Sequence, residues 1–422
     1  MTAPAETGVL IEHLFRHQAG RVVARLTRLL GPANVALAEE AVQDAMLKAL
    51  QTWPYQGAPQ NPAGWLFRVA HNAAIDTLRR NALFGDKTEA LVLELTRSAS
   101  QTLAAPYVED QLRDDELRMI FMCCHPALTR DASVALSLKS IGGFSVAEIA
   151  RAFLVEESTI AQRLVRAKRQ IRDEHLTLDF PPRTELAARL DSVLEVLYFM
   201  FNEGYSPRDG ERLIRQDLCL EAFRLARLVA SAPIAEPRVH ALVALMALLA
   251  ARLAARVDSS GDLILFDDQD RHQWDEQLIA LGFHHFDQSM SGGEETEYHV
   301  QAAIAATHAR AVDPRTVDWR VILALYDRLF ALNQSPIVAL NRAVALARVH
   351  GAAEGLAAIE ELEDDPALRR YHLLLAARGQ LLIELDRRAE AADAFRAALD
   401  CPCSEPERRF LQRRLDACAR PH

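Results

Sequence analysis

The 422-residue chain has no apolar run long enough to cross a bilayer: its longest, Ala241 to Ala251, ends at Arg252, well short of the roughly 20 residues a spanning helix needs. Its start, Met1 to Ile11, has neither a basic opening nor an apolar signal core, because Glu6 and Glu12 flank the only hydrophobic stretch. The expectation is a cytoplasmic protein with no membrane partner. Six cysteines are too few for a disulfide framework in so long a chain, and the spacings Cys123-Cys124 and Cys401-Pro-Cys403 fit no common zinc pattern. Also missing are a Gly-rich phosphate loop, a nucleophile elbow and a His-Glu-x-x-His helix. No cofactor, metal or enzymatic activity is therefore expected. Lysine is scarce (Lys48, Lys87, Lys139 and Lys168), and almost every other cation is arginine.

What is present is an ordinary globular composition, 50% hydrophobic and 25% charged, with length for two to four domains. The net charge of -10 argues against a protein whose whole surface binds nucleic acid. Residues 1–180 hold 20 basic and 21 acidic side chains, leaving 28 and 37 for the rest. Any DNA contact would then come from local basic patches in the near-neutral first part.

Apolar residues recur at three- and four-residue spacing with almost no alternating β-branched runs, so an all-α fold is expected. Breaks are read at Trp53 to Pro62, at the polar stretch Asn81 to Asp110 and at Phe180-Pro181-Pro182. They imply domains at 1–85 and 112–178 joined by a linker at 86–111, then a helical extension at 183–422.

Ser145-Val-Ala-Glu148 has the form of a capping box opening a short helix. After a tight turn at Leu154 to Glu157, a second helix is predicted from about Ser158 to Ile171, with Ile160, Leu164 and Ala167 on its apolar face. This is helix-turn-helix spacing. The second helix carries Arg163, Arg166, Lys168, Arg169 and Arg172 with no acid between residues 158 and 172. Thr159, Gln162, Arg163 and Arg166 share a polar face suited to a major groove, where Arg and Gln read base edges and the other cations pair with phosphates. A solvated basic face on a helical hairpin fits the same local pattern.

Upstream, residues 38 to 50 form an amphipathic helix with Glu40, Gln43, Asp44 and Leu47 on adjoining faces. In Pro62 to Arg80, Trp65, Val69, Ala73 and Leu78 are expected to face a core. Asn72, Asp76, Arg79 and Arg80 recur on the other side, a face able to hold single-stranded DNA.

In order and spacing, these blocks together resemble the extracytoplasmic-function family of sigma factors, region two over about residues 10–80 and region four over about 112–172. The resemblance implies that Glu40, Gln43, Asp44 and Leu47 dock on the clamp helices of the polymerase β′ subunit. It implies minus-10 recognition by Trp65, Asn72, Asp76, Arg79 and Arg80, with the loop at about Trp53 to Asn61 capturing a flipped base. The minus-35 reader would be the second helix, through Thr159, Gln162, Arg163, Arg166, Lys168 and Arg169. Core RNA polymerase, including its β subunit, and promoter DNA are the implied partners. Many members have Lys-Ser where this chain has Ala161-Gln162, so no base preference carries over. The segment Asp114 to Leu128, with Phe144 to Arg169, is more like a subgroup with long C-terminal extensions of tetratricopeptide-like repeats. In that light Cys123, Cys124 and His125 are packing residues.

In the extension, Gly379, Ala391, Phe395 and Ala398 have the offsets that lock the two helices of a tetratricopeptide repeat. A fainter copy lies at Ala343, Gly355 and Ile359, so a tetratricopeptide-like fold is expected at about 318–420; generic helical hairpins fit as well. Either way stacked helix pairs present a binding surface. Asp267 to Trp274 reads as a charged helix start or a cation site, and Glu407 to Leu415 as a basic amphipathic helix. The resemblance implies that the extension regulates the sigma module through a protein or ligand. A helix-turn-helix regulator acting without core polymerase, or a repeat scaffold, are the competing readings, and only the first gives the Glu40, Gln43 and Asp44 face a partner.

Overall fold

The computed structural model describes residues 18–57, 59–82, 109–153, 155–206 and 213–419. The chain start Met1 to Ile11 and the expected linker as far as residue 108 lie outside the described residues. Within them the protein is helical, with an isolated bridge between Val257 and Leu263 and no strand. It divides into two compact units, Met1–Val196 and Leu197–His422.

The first unit opens with α1 (18–30), α2 (Val35–Gln56) and α3 (Pro62–Ala82). The inward face of α2 is Ala38, Ala41, Val42, Ala45, Ala49 and Trp53, every third or fourth residue, and the small side chains let α3 approach closely. The expected break at Trp53 comes later. Helix α2 runs through Pro54 to Gln56, because Trp53 is buried with its ring 5.3 Å from that of Trp65 and anchors the last turn. The turn closes at Gly57 (φ 81°), whose N–H donates to the Trp53 carbonyl.

The buried face of α3 also differs from expectation. Leu66, Phe67, Ala70, His71, Ala74, Ile75 and Leu78 are buried, whereas Trp65, Val69 and Ala73 sit half-buried at its margin. His71 turns inward against Phe67, at 5.8 Å between rings, and burial lowers its pKa, so a polar-looking position belongs to the core.

Helices α4 (Glu109–Cys123), α5 (Arg130–Ser140), α6 (Val146–Phe153) and α7 (Glu157–Asp173) complete the sigma-like part, and α8 (Arg183–Tyr205) follows. Cys123 and Cys124 are buried, the Cys124 thiol pushed up to about 12 by burial, and His125 accepts a hydrogen bond from the Ala127 N–H. These are packing groups.

The second unit continues with α9 (Gln216–Ala230), α10 (Pro237–Ala250), α11 (Glu276–Ser289) and α12 (Glu297–Arg310). Helix α10 is buried nearly all round, which is why it carries the longest apolar run. Helices α13 (Trp319–Leu332), α14 (Pro336–His350), α15 (Ala352–Glu360), α16 (His372–Glu384), α17 (Arg388–Leu399) and α18 (Glu405–Cys418) end the chain. The expected small-residue contacts are present. A Cβ on Gly379 would lie 2.8 Å from the Phe395 ring, and one on Gly355 2.3 Å from the Ala347 Cβ. Ala391, Phe395, Ala398, Ala343 and Ile359 are all buried in one cluster. The Asp267 to Trp274 segment forms two single turns, Asp267 pairs with Arg348, and no group of three metal-ligating side chains occurs among the described residues.

Candidate nucleic-acid interface

Helices α6 and α7 are set by local chemistry. The Ser145 N–H donates to Glu148 Oε2 at 2.7 Å and the Glu148 N–H donates to Ser145 Oγ at 3.1 Å, the reciprocal cap expected. Ile160, Leu164, Ala167 and Ile171 are buried, so α7 is held by one stripe and shows its opposite side to solvent. Gln162, Arg166 and Arg169 are exposed on that side, Arg169 with a surface pair to Asp173 at 3.2 Å. Thr159 is half-buried, and Arg163 is tied to Asp131 at 3.1 Å. Lys168 points the other way, its ammonium 2.5 Å from Glu39. Val165, 66% exposed between Gln162 and Arg169, is an apolar member of the outer face that the charge pattern did not flag.

On α3, Asn72, Asp76, Arg79 and Arg80 are all exposed. Arg79 lies 3.8 Å from Asp76, a surface pair that a phosphate could displace. Arg68 is exposed four residues before Asn72 and extends the same stripe; the i, i+4 spacing would have found it. Trp65, edge-on to Trp53, forms the shoulder of this surface.

On α2, Glu40, Gln43, Asp44 and Leu47 are all exposed. Leu50 joins them, and leucines 56% and 48% exposed at positions 47 and 50 put apolar area in water beside three polar groups. Glu39 is what the sequence did not reveal. Its carboxylate is buried, accepting from Ser140 Oγ and from Lys168 Nζ, both at 2.5 Å.

A capped helix-turn-helix with an outward basic face, beside a second helical module carrying its own polar stripe, is the architecture of a DNA-binding protein with two candidate reading heads. The family models that match are sigma-70 region 2 over residues 14–83, sigma-70 region 4 over residues 118–171, and a family of unknown function (DUF6596) over residues 189–290. The ECF RNA polymerase sigma factor SigM of Mycobacterium tuberculosis (strain ATCC 25618 / H37Rv) is 30% identical over 163 residues, 38% of this chain and 74% of that one. SigK, another ECF RNA polymerase sigma factor, from Mycobacterium ulcerans (strain Agy99), is 28% identical over 161 residues, 38% of this chain and 82% of its own length. An uncharacterized protein of Rhizobium meliloti (strain 1021) is similar along almost the whole chain, 39% identical over 387 residues, 92% of this chain and 91% of that one. No solved structure matches. The chain belongs to the ECF family of RNA polymerase sigma factors, with a long helical extension after region four. It therefore works with core RNA polymerase and promoter DNA in transcription initiation.

Proposed function

We propose that the two reading heads divide the promoter between them. Helix α7 enters the minus-35 major groove with Gln162, Arg166 and Arg169 outward and Thr159 and Arg163 at its edge, while Lys168, expected on this face, is held away from it by Glu39. Helix α3 holds the melted minus-10 strand on Asn72, Asp76, Arg79 and Arg80 with Trp65 as a shoulder. The observation that carries the reading is the α2 face: Glu40, Gln43, Asp44 and Leu47 lie exposed together. A helix end that leaves leucines in water needs a partner, and the β′ clamp helices are the one that sigma action requires, with the β subunit completing the contact to region four.

In this reading the chain performs no chemistry itself and acts in the cytoplasm beside the polymerase; no described helix is long and apolar enough to cross a membrane. The reading heads are residues 1–85 and 112–178 with a linker at 86–111. The extension at 183–422, tetratricopeptide-like over about 318–420, regulates them through a protein or ligand. The glycine contacts of Gly355 and Gly379 support stacked helix pairs there.

The test is reconstitution of the full chain with purified core polymerase. Promoter-specific transcripts are expected, and Leu47→Asp is expected to abolish them while leaving the helical content intact. Transcription without this chain, or indifference to Leu47→Asp, would refute the docking assignment.

A further inference from the structure

Three arginines of the second unit are gathered on aromatic rings with no carboxylate to answer them. Arg252 and Arg256 follow α10, and Arg271 opens the single turn before Trp274. The Arg252 guanidinium lies 4.6 Å from the centre of the Phe266 ring and 5.8 Å from that of Trp274. Arg271 approaches the same two rings at 5.3 and 4.5 Å, and Arg256 stacks on Tyr205 at 3.9 Å. Arg256 is buried and the other two are half-buried, yet none of the three forms an ion pair among the described residues. The arginines around them are paired, Arg348 with Asp267 at 2.5 Å and Arg315 with Asp313 at 2.6 Å. Polar atoms are left over as well: Arg252 Nε, Arg271 Nε and Nη2, His308 Nδ1 and Trp274 Nε1 are buried with no hydrogen-bond partner.

Burying a guanidinium costs its hydration, and cations placed side by side add their repulsion. Ring packing offsets part of this. Arg271 also closes the end of α12, its Nη1 donating to the carbonyls of His308 at 2.9 Å and Ala311 at 2.6 Å. Its remaining donors and those of Arg252 stay unanswered. The positive potential that results is felt by its neighbours: burial, then Arg252 and Arg271, push the His308 ring down to about 4. Asp267 and Asp313 act on Arg271 from farther off, but each is already taken by Arg348 or Arg315.

We propose that Arg252, Arg256 and Arg271 form an anion site that takes the phosphoryl group of a small ligand. One guanidinium fork satisfies a planar carboxylate, whereas three unpaired cations match the higher charge and the several acceptor oxygens of a phosphate dianion. The way in lies beside His308, whose ring is 4.6 Å from Phe266 and 5.4 Å from Trp319. Trp319 lines a groove of about 600 Å³ with Arg315 and Arg348 on its walls, within the roughly 300–1,000 Å³ of small-molecule sites. The rest of the ligand lies in that groove against the indole. The site stands on the geometry of the second unit; it supplies a ligand class for the regulatory input proposed above, and its test does not depend on that role.

The experiment follows thermal unfolding of the full chain while inorganic phosphate replaces chloride at constant ionic strength, with acetate as the carboxylate control. Phosphate at ten times its dissociation constant is expected to raise the Tm by about 3–6 °C, and acetate to leave it unchanged. Arg252→Met is expected to abolish the rise and, without phosphate, to unfold at the same temperature as wild type or higher, because the uncompensated cation is gone. An equal rise in wild type and variant is general exclusion of the salt from protein surface and overturns the site. So does an Arg252→Met variant that unfolds earlier by the same amount in both buffers, which would make Arg252 a packing residue alone. A rise with acetate equal to that with phosphate overturns the ligand class. The second arm is calorimetric titration of the folded protein with phosphate, in which Arg252→Lys keeps the charge but loses the fork and is expected to bind about tenfold more weakly. Unchanged affinity in that variant, or no saturable heat with wild type, also overturns the proposal. Neither arm involves transcription, so its failure leaves the sigma reading standing.

Discussion

The two units differ in some of the contacts that join their helices. In the first, the reading heads meet through Asp115, Glu116 and Glu39 with their cations. In the second, helix pairs meet through Gly379 on Phe395 and Gly355 on Ala347, contacts without charge. Buried ion pairs gain little net stability over apolar packing but can be rehydrated one by one, whereas a filled apolar contact has no alternative partner. The seam within the first unit is polar, and the small-residue contacts of the helix stack are apolar.

The largest expected effect tests the apolar side. Phe395→Ala empties the space under Gly379 and is expected to lower the stability of the second unit by about 3–5 kcal/mol, read by denaturant unfolding. A cost near zero would show that the hairpin does not depend on this contact. Acid should act next. Burial and the neighbouring Arg252 and Arg271 lower His308 from 6.5 to about 4, and His285 is depressed to about 4 mainly by burial. Below pH 6.5 the unfolded chain takes up protons that these folded groups refuse, so stability falls as pH drops from 6.5 towards 4. For His308 the loss approaches about 3 kcal/mol. Denaturation midpoints measured from pH 7 to pH 4 check the slope, and a flat profile would mean these rings are solvated. The smallest effect sharpens the first unit: Ser145→Ala should cost about 1 kcal/mol by leaving the Glu148 N–H without its cap. Proteolysis of the α6 turn would report it without change at Phe395.

How much could be read in advance varied with the range of the forces. The Ser145 and Glu148 cap, the Ile160, Leu164 and Ala167 stripe and the Gly379 with Phe395 contact were legible, because they depend on neighbours within one helix or one hairpin. The outward face of Glu40, Gln43, Asp44 and Leu47 was legible for the same reason, 3.6-residue periodicity. The inward face of α3 was placed slightly off, since Trp65 at its margin and His71 within it are decided by Trp53 and Phe67. Pro54 looked like a break but lies in a last turn that buried Trp53 holds.

The amino-acid sequence alone determined that this protein is helical and that its last third pairs helices, because local periodicity and small-residue offsets fix those features, while the two sigma regions were legible only through the resemblance of several motif blocks in order and spacing. The tertiary structure decided that Glu39 and Asp115 are buried rather than solvated, that Lys168 turns from the reading face, and that the modules meet through charge. A carboxylate in a sequence carries no sign of its partner: Glu39 lies 129 positions from Lys168 and Asp115 lies 90 from Arg25, and only folding brings such charges within reach.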